Sequence, residues 1–227
     1  MTQSGISLQI FFAHFGSPVS RKVEDQYMAM VPARFHESIL RYKRWQDRQA
    51  TLFGKMLLFR ALHANWGDTA LEKFQSQQVG QHGKPYIAGG PDFNISHSGE
   101  IVVLALAENA VLGIDIEKIH AVKFEDFAQQ LPEIANLDQE LDASHANAIF
   151  FDCWTRKEAV LKACGAGLLA PLEQVVLQED TAHFLKKTWF TEKLLIEEGY
   201  CCHVAADQPV KQVRLTYVDL LNFHGNL

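Results

Sequence analysis

The chain has little of what marks a membrane-spanning, secreted or metal-knotted protein. Its longest uninterrupted apolar run, Ile101–Ala107, is seven residues, against the roughly 20 that a membrane-spanning helix requires. No cationic flank precedes the short apolar stretch Leu8–Ala13, so a secretory signal is not expected and the expected location is cytoplasmic, with no membrane partner. Cysteine is scarce: Cys153, Cys164, Cys201 and Cys202 show no paired metal-ligand spacing, which disfavours zinc and, in a reducing compartment, suggests buried thiols rather than a disulfide framework. There is no Walker loop, no G-x-G-x-x-G, no G-x-S-x-G and no H-E-x-x-H. The common nucleotide hydrolases, dinucleotide-binding folds, serine hydrolases and zinc proteases are thereby excluded. Low-complexity tracts and long linkers are also absent.

What is present is a globular composition: 227 residues, 48% hydrophobic and 21% charged. The net charge of −6 argues against a general nucleic-acid binder, but it conceals a local reversal. Residues 21–60 hold nine Lys/Arg against four Asp/Glu, whereas residues 100–180 hold fifteen Asp/Glu against five Lys/Arg. One segment suits a polyanion or an acidic partner and the other suits a cation; two solvated faces of opposite sign fit the charge counts equally well.

Helical spacing of Leu52, Met56, Phe59 and Leu62 predicts a helix within 41–64, and Phe150, Phe151, Trp154, Leu161 and Cys164 predict another over 148–164. Residues 101–108 and 111–117 read as strands joined by a tight turn at 108–110. Laid end to end, the helix at 48–62 corresponds to 150–164, the strand at 101–108 to 200–207, and the strand at 111–117 to 213–220, each offset by about one hundred residues. The expected fold is therefore α+β: two similar halves, 1–113 and 114–227, related by a pseudo-twofold, each a long helix packed on a small antiparallel sheet, with the ligand cleft between them. Residues 121–147 have no counterpart in the first half and read as a mixed helical insertion anchored by Phe124 and Phe127.

Asp115 and Glu117 lie two apart in a predicted strand, so both carboxylates share one face while Ile114 and Ile116 occupy the other. Such a pair suits Mg²⁺, which takes hard oxygen ligands and shares substrate phosphates, and it equally suits a solvated strand face. Glu158 and Lys162 are one helical turn apart with Trp154 a turn before them. That row reads either as a surface ion pair or as a carboxylate at the core's edge able to act as ligand or base. His97, among small hydrogen-bonding residues in Phe93–Gly99, and Lys84 in the Gly83-Lys84-Pro85 turn can contact an anion or be ordinary turn residues.

Together, Gly83-Lys84-Pro85-Tyr86-Ile87, Phe93-Asn94-Ile95-Ser96-His97-Ser98, Gly113-Ile114-Asp115-Ile116-Glu117 and Trp154-Thr155-Arg156-Lys157-Glu158-Ala159 with Lys162 resemble the ordered signature motifs of the 4′-phosphopantetheinyl transferases. Their order and spacing are similar to the long, monomeric surfactin-synthetase-activating (Sfp) type rather than the half-length trimeric holo-acyl-carrier-protein synthases. The resemblance implies transfer of 4′-phosphopantetheine from coenzyme A to a serine of an apo acyl or peptidyl carrier protein, with release of adenosine 3′,5′-bisphosphate. It implies Mg²⁺ on Asp115, Glu117 and Glu158, Glu158 also being the candidate base, directly or through a bound water. It implies Lys162 as the group neutralising the pyrophosphate, His97 with Ser96 on the phosphate side, and Lys84 and Pro85 in the nucleotide wall. Arg41, Arg48 and Arg34 are candidates for the 3′-phosphate on regional charge alone. Two alternatives stand beside this: a coenzyme A-binding sensor without catalysis, and a Mg²⁺-dependent nucleotide pyrophosphohydrolase. Retention of Glu158 and Lys162 speaks against the first.

Overall fold

The computed structural model describes residues 5–80, 82–127, 129–134, 142–166 and 170–222. In chain order, β1 (Ile6–His14) is followed by α1 (Arg21–Met30), α2 (His36–Leu40), the long α3 (Trp45–Trp66) and α4 (Ala70–Gln75). A short ribbon, β2 (Gln78–Val79) and β3 (Pro85–Tyr86), leads to β4 (Asp92–Ser98), β5 (Ile101–Ala107) and β6 (Leu112–Lys118). After the second long helix, α5 (Ala143–Cys164), come β7 (Val176–Gln178), β8 (Thr181–Phe184), β9 (Lys187–Lys193), β10 (Tyr200–Ala206) and β11 (Val210–Tyr217). The fold is α+β.

Two sheets, ordered β11-β1-β5-β4 and β6-β10-β9-β8-β7, stack face to face. Leu8, Ile10, Val103 and Ala105 of the first interdigitate with Ile114, Ile116, Cys202 and Val204 of the second. The alternate residues point outward to a helix. Val102, Leu104 and Leu106 meet Phe53, Met56 and Leu57 of α3, while Ala205 packs with Val160 and Ala163 of α5. The layers therefore run helix, sheet, sheet, helix, and period-2 alternation in nearly continuous apolar strands follows from burial on both faces.

Two features differ from the sequence expectation. β1, whose alternating Ile6-Ser7-Leu8-Gln9-Ile10 runs on into Phe11-Phe12-Ala13, is a central strand between β11 and β5. Its partner β11 lies parallel to it, so the strand over 213–220 belongs to the first sheet and not to the place in the second that corresponds to β6. In the expected insertion, short 3₁₀ turns at Phe124–Phe127 and Pro132–Ile134 precede α5, which begins at Ala143. The rest of that insertion, 128 and 135–141, lies outside the described residues.

The junction between the sheets is made by side chains. Every second residue of β4 reaches a backbone N–H of β6: Leu112 N donates to Asp92 Oδ2 (2.8 Å), Ile114 N to Asn94 Oδ1 (2.9 Å), Ile116 N to Ser96 Oγ (3.4 Å) and Lys118 N to Ser98 Oγ (3.1 Å). The constant offset of 20 residues makes β4 and β6 parallel neighbours, with polar side chains satisfying edge donors that a backbone ladder would otherwise take.

α5 lies close on β6 because position 113 has no side chain. A Cβ at Gly113 would collide with Ala159 O and Ala163 N, both backbone atoms of α5. The helix starts at Asp142, whose carboxylate accepts from Ser144 N and His145 N, and ends at left-handed Gly165 (φ 65°). Gly113→Ala is expected to push α5 off the sheet and cost about 1–3 kcal/mol, the range for overpacking a core that cannot relax, read as a fall in thermal midpoint.

Candidate functional site

The zipper that joins the sheets also orients the acidic pair. Ser96 Oγ accepts from Ile116 N and donates to Asp115 Oδ1 (2.9 Å); Ser98 Oγ accepts from Lys118 N and donates to Glu117 Oε2 (2.6 Å). Each serine thus ties one carboxylate to the strand that carries it. Lys162, in the last turn of α5, places Nζ 2.5 Å from Asp115 Oδ1 and 2.9 Å from Ser96 Oγ. The i,i+4 ion pair of Lys162 with Glu158, one of the two readings of that row, does not form among the described residues: the lysine crosses to the sheet, because Gly113 lets the helix come close enough for it to reach Asp115.

Asp115 is 3% exposed, and its second oxygen, Oδ2, is buried with no hydrogen-bond partner among the described residues. Burial and the neighbouring Asp115 raise the pKa of Glu158, against the opposing pull of Lys162. Burial likewise raises Glu117, with the Ser98 hydrogen bond opposing it and Asp115 adding to it. Three mutually repelling carboxylates, one with an orphaned buried oxygen, form a donor set that fits a hard dication. The chemistry such an ion supplies when bound is neutralisation of phosphate charge. Lys162 alone does not balance the cluster.

A cavity of about 250 Å³ opens beside these groups, lined by Lys84, Pro85, Asn94, Glu158, Leu161 and Lys162 among others. Lys84 lies on this wall with its ammonium bound to Asp92 Oδ2 (2.7 Å) and Leu112 O (2.9 Å), so it also ties the turn to the zipper. His97 stands exposed on the opposite side of β4 from Ser96. The surrounding protein mass and the Lys162 ammonium hold its imidazole below the usual histidine range. The three arginines do not line the cavity. Arg34 donates to the carbonyls of Gln75 (2.6 Å) and Gln77 (2.5 Å), Arg48 pairs with Glu24 (2.6 Å), and Arg41 is exposed against the Tyr42 ring.

A second cavity, about 340 Å³, touches Glu117 from the other side and is lined by His120, Val122, Phe127, Phe150 and Trp154 among others. Phe127 packs edge-on to Phe150 (5.2 Å) and Trp154 (5.5 Å), and Phe124 against Phe150 (5.8 Å). Both phenylalanines are half-buried, so they serve core and cavity wall together. The segment is pinned from below by Lys157, which is wholly buried with Nζ 2.9 Å from Glu133.

Sequence reasoning missed Asp92, Asn94 and Ser98, although the alternation D-x-N-x-S-x-S was in view. It missed Lys157 as well, since a lysine on a helix reads as solvated until the chain over it is placed.

The electrostatics carry a stability consequence. Glu158 binds its proton more tightly in the folded chain than at the ordinary 4.5. Its contribution is therefore favourable below that value and is lost as pH rises through the raised one. In cation-free buffer at neutral pH, Glu158→Gln should raise the melting temperature, because the neutral amide escapes the burial and repulsion that the carboxylate suffers. The gain should vanish toward pH 4, as checked by melts across pH.

Two family models divide the chain between them: "4'-phosphopantetheinyl transferase, N-terminal" matches residues 17–109 and "4'-phosphopantetheinyl transferase superfamily" matches residues 111–217. A 4'-phosphopantetheinyl transferase of Bacillus subtilis is 35% identical over 181 residues, 76% of this chain and 78% of the relative. The 4'-phosphopantetheinyl transferase ffp of Bacillus subtilis is 30% identical over 89% of this chain and 93% of its own length. The 4'-phosphopantetheinyl transferase Sfp of Bacillus subtilis strain 168 is 26% identical over 94% of this chain and all of its own length. With the motifs gathered around one acidic cluster, these matches establish that the chain belongs to the 4'-phosphopantetheinyl transferases, in the Sfp type, and transfers the phosphopantetheine group.

Proposed function

We propose that the group is taken from coenzyme A and delivered to a serine of an apo acyl or peptidyl carrier protein, in a Mg²⁺-dependent reaction that releases adenosine 3′,5′-bisphosphate. The observation that carries this is the buried Asp115 with its orphaned Oδ2, set between Lys162 and two carboxylates of raised pKa at the mouth of a cavity. Asp115, Glu117 and Glu158 hold the ion. Lys162, already paired to Asp115, neutralises the pyrophosphate as charge builds on the leaving group. Glu158, with its raised pKa and no hydrogen-bond partner among the described residues, takes the proton of the carrier serine. In-line positioning and charge neutralisation are what phosphoryl-type transfer needs most.

The Lys84–Pro85 wall faces the nucleotide, with Ser96 on the carboxylate side of β4 and His97 meeting a phosphate from the opposite face of that strand. Of the basic residues 34, 41 and 48, Arg41 has the guanidinium least committed within the fold and is assigned the 3′-phosphate. Two halves, 1–113 and 114–227, share a strand–helix–hairpin plan in which β1, α3, β4 and β5 match β6, α5, β9 and β10. This pseudo-twofold places the cleft inside a single chain, so a monomer suffices. No helix of the described residues is long and apolar enough to cross a membrane, which fits a cytoplasmic enzyme.

Intact-mass assay of an apo carrier with coenzyme A should show full modification with Mg²⁺ or Mn²⁺, poor modification with Ca²⁺, and none in excess EDTA. Glu158→Ala should lose at least about 10²-fold in rate, the lower bound for a positioned base, with its fold retained. Full transfer in EDTA, or a near-normal Glu158→Ala, would overturn the assignment, and coenzyme A hydrolysis without a carrier would favour a pyrophosphohydrolase.

The cavity beside Glu117 suits an apolar anchor of the carrier, because the acidic surroundings repel an acidic carrier at long range and leave short-range burial to hold it. Phe127→Ala should raise KM for the carrier about tenfold, roughly 1.4 kcal/mol, and leave KM for coenzyme A within about twofold. A lower melting temperature with unchanged carrier KM would assign Phe127 to the core alone.

A further inference from the structure

Outside the carboxylate cluster, one group of side chains is arranged as ligands without an assigned task. Asp152 of α5 and Cys201 and His203 of β10 place a carboxylate oxygen, a sulfur and a ring nitrogen all within 4.8 Å of one another. We infer that these three residues form a second cation site, for a borderline-soft divalent ion of the Zn²⁺ kind. The site is independent of the transfer mechanism and takes different ligand chemistry from the all-carboxylate cluster, which suits Mg²⁺.

The independent observation is the tautomer of His203. Thr155 has one hydroxyl proton, and Oγ1 donates it to Phe151 O (2.7 Å). The same oxygen lies 2.8 Å from His203 Nδ1, so Nδ1 must carry the hydrogen and donate it. Nε2 is left with a bare lone pair, and it faces Asp152 Oδ1 at 3.7 Å. That separation is too long for a hydrogen bond, so the carboxylate does not claim this nitrogen. Two acceptors thus confront one another, with the thiol of Cys201 3.9 Å from Nδ1 of the same ring. A hydroxyl that fixes the tautomer of a ligating histidine is the outer-shell arrangement of metal sites.

Lys193 now supplies the positive charge: its Nζ lies 2.6 Å from Asp152 Oδ1, on a side chain that is half exposed. It is free to swing into solvent when an ion enters. Binding releases the Cys201 thiol proton, since sulfur ligates as thiolate, and it cross-links α5 to β10. Three protein ligands leave a fourth position for water. The two β10 residues share the α5-facing side with Asp115 and Glu117, opposite which they pair in register, so the two cation sites are neighbours on one sheet.

Co²⁺ is the probe, titrated into the full chain in excess Mg²⁺ so that the carboxylate cluster is already satisfied. The expected result is one Co²⁺ per chain with a thiolate charge-transfer band, one proton released and a raised melting temperature. Cys201→Ser should abolish the band. Thr155→Val should weaken binding at least about tenfold, with Thr155→Ser restoring it. Lys193→Met, a surface change that spares the fold, should tighten binding. Asp115→Asn should leave the spectrum unchanged. Absence of the band in the folded wild type, its persistence in Cys201→Ser, its loss in Asp115→Asn, or unaltered affinity in Lys193→Met would overturn the site.

Discussion

The side-chain zipper between β4 and β6 is the constraint on which the rest of the molecule depends. Two sheets that stack through an apolar interface are free to slide until something polar fixes their register. Here Asp92, Asn94, Ser96 and Ser98 do so by accepting four consecutive outward N–H groups of β6. A backbone ladder would have merged the sheets into one and left no second use for these side chains. Because serine both accepts and donates, Ser96 and Ser98 pass the constraint on to Asp115 and Glu117. The strand that carries the acidic pair and the strand that aims it are thus locked together by the same four bonds.

This arrangement concentrates repulsion. Asp115 is buried against Lys162 with one oxygen unsatisfied, and both Glu117 and Glu158 are pushed toward their protonated forms. An isolated buried polar atom of this sort costs about 1–3 kcal/mol, which the fold tolerates because the apolar layers on either side of β6 are extensive. A cation bound among these carboxylates would relieve their repulsion, as the Lys162 ammonium already does in part. The bare approach of α5 over Gly113 serves the same end by bringing Lys162 across to the sheet.

The aromatic wall on the far side of Glu117 depends on a different anchor. Lys157 gives up its solvation entirely to sit beside Glu133, holding the 3₁₀ turn Pro132–Ile134 against α5. Phe127 then packs edge-on to the stacked pair Phe150 and Trp154, around an opening instead of closing it. One helix therefore faces the Lys84-lined cavity with Glu158 and Lys162 and the aromatic cavity with Phe150 and Trp154. The two openings meet at the carboxylates.

Short-range pattern determined much by itself. Helical periodicity located α3 and α5 to within a few residues, and the apolar runs gave β5 and β6. The Asp115–Glu117 alternation placed both carboxylates on one face, and the order of motifs identified the family. What it left open was every question whose answer lies across a layer. Nothing local in β1 names the strands on either side of it, and β11 chooses a parallel partner two hundred residues away. Lys162 reads as an ion-pair partner for Glu158 until Gly113 brings Asp115 within reach. Arg34 and Arg48 read as anion contacts until carbonyls and Glu24 claim them. The cluster of Asp152, Cys201 and His203 has no ligand spacing in the chain, because a helix and a strand supply it from positions some fifty residues apart. Local sequence fixes which side chains share a face, and only tertiary packing decides which faces meet, because the donors and charges that compete for each partner come from distant segments.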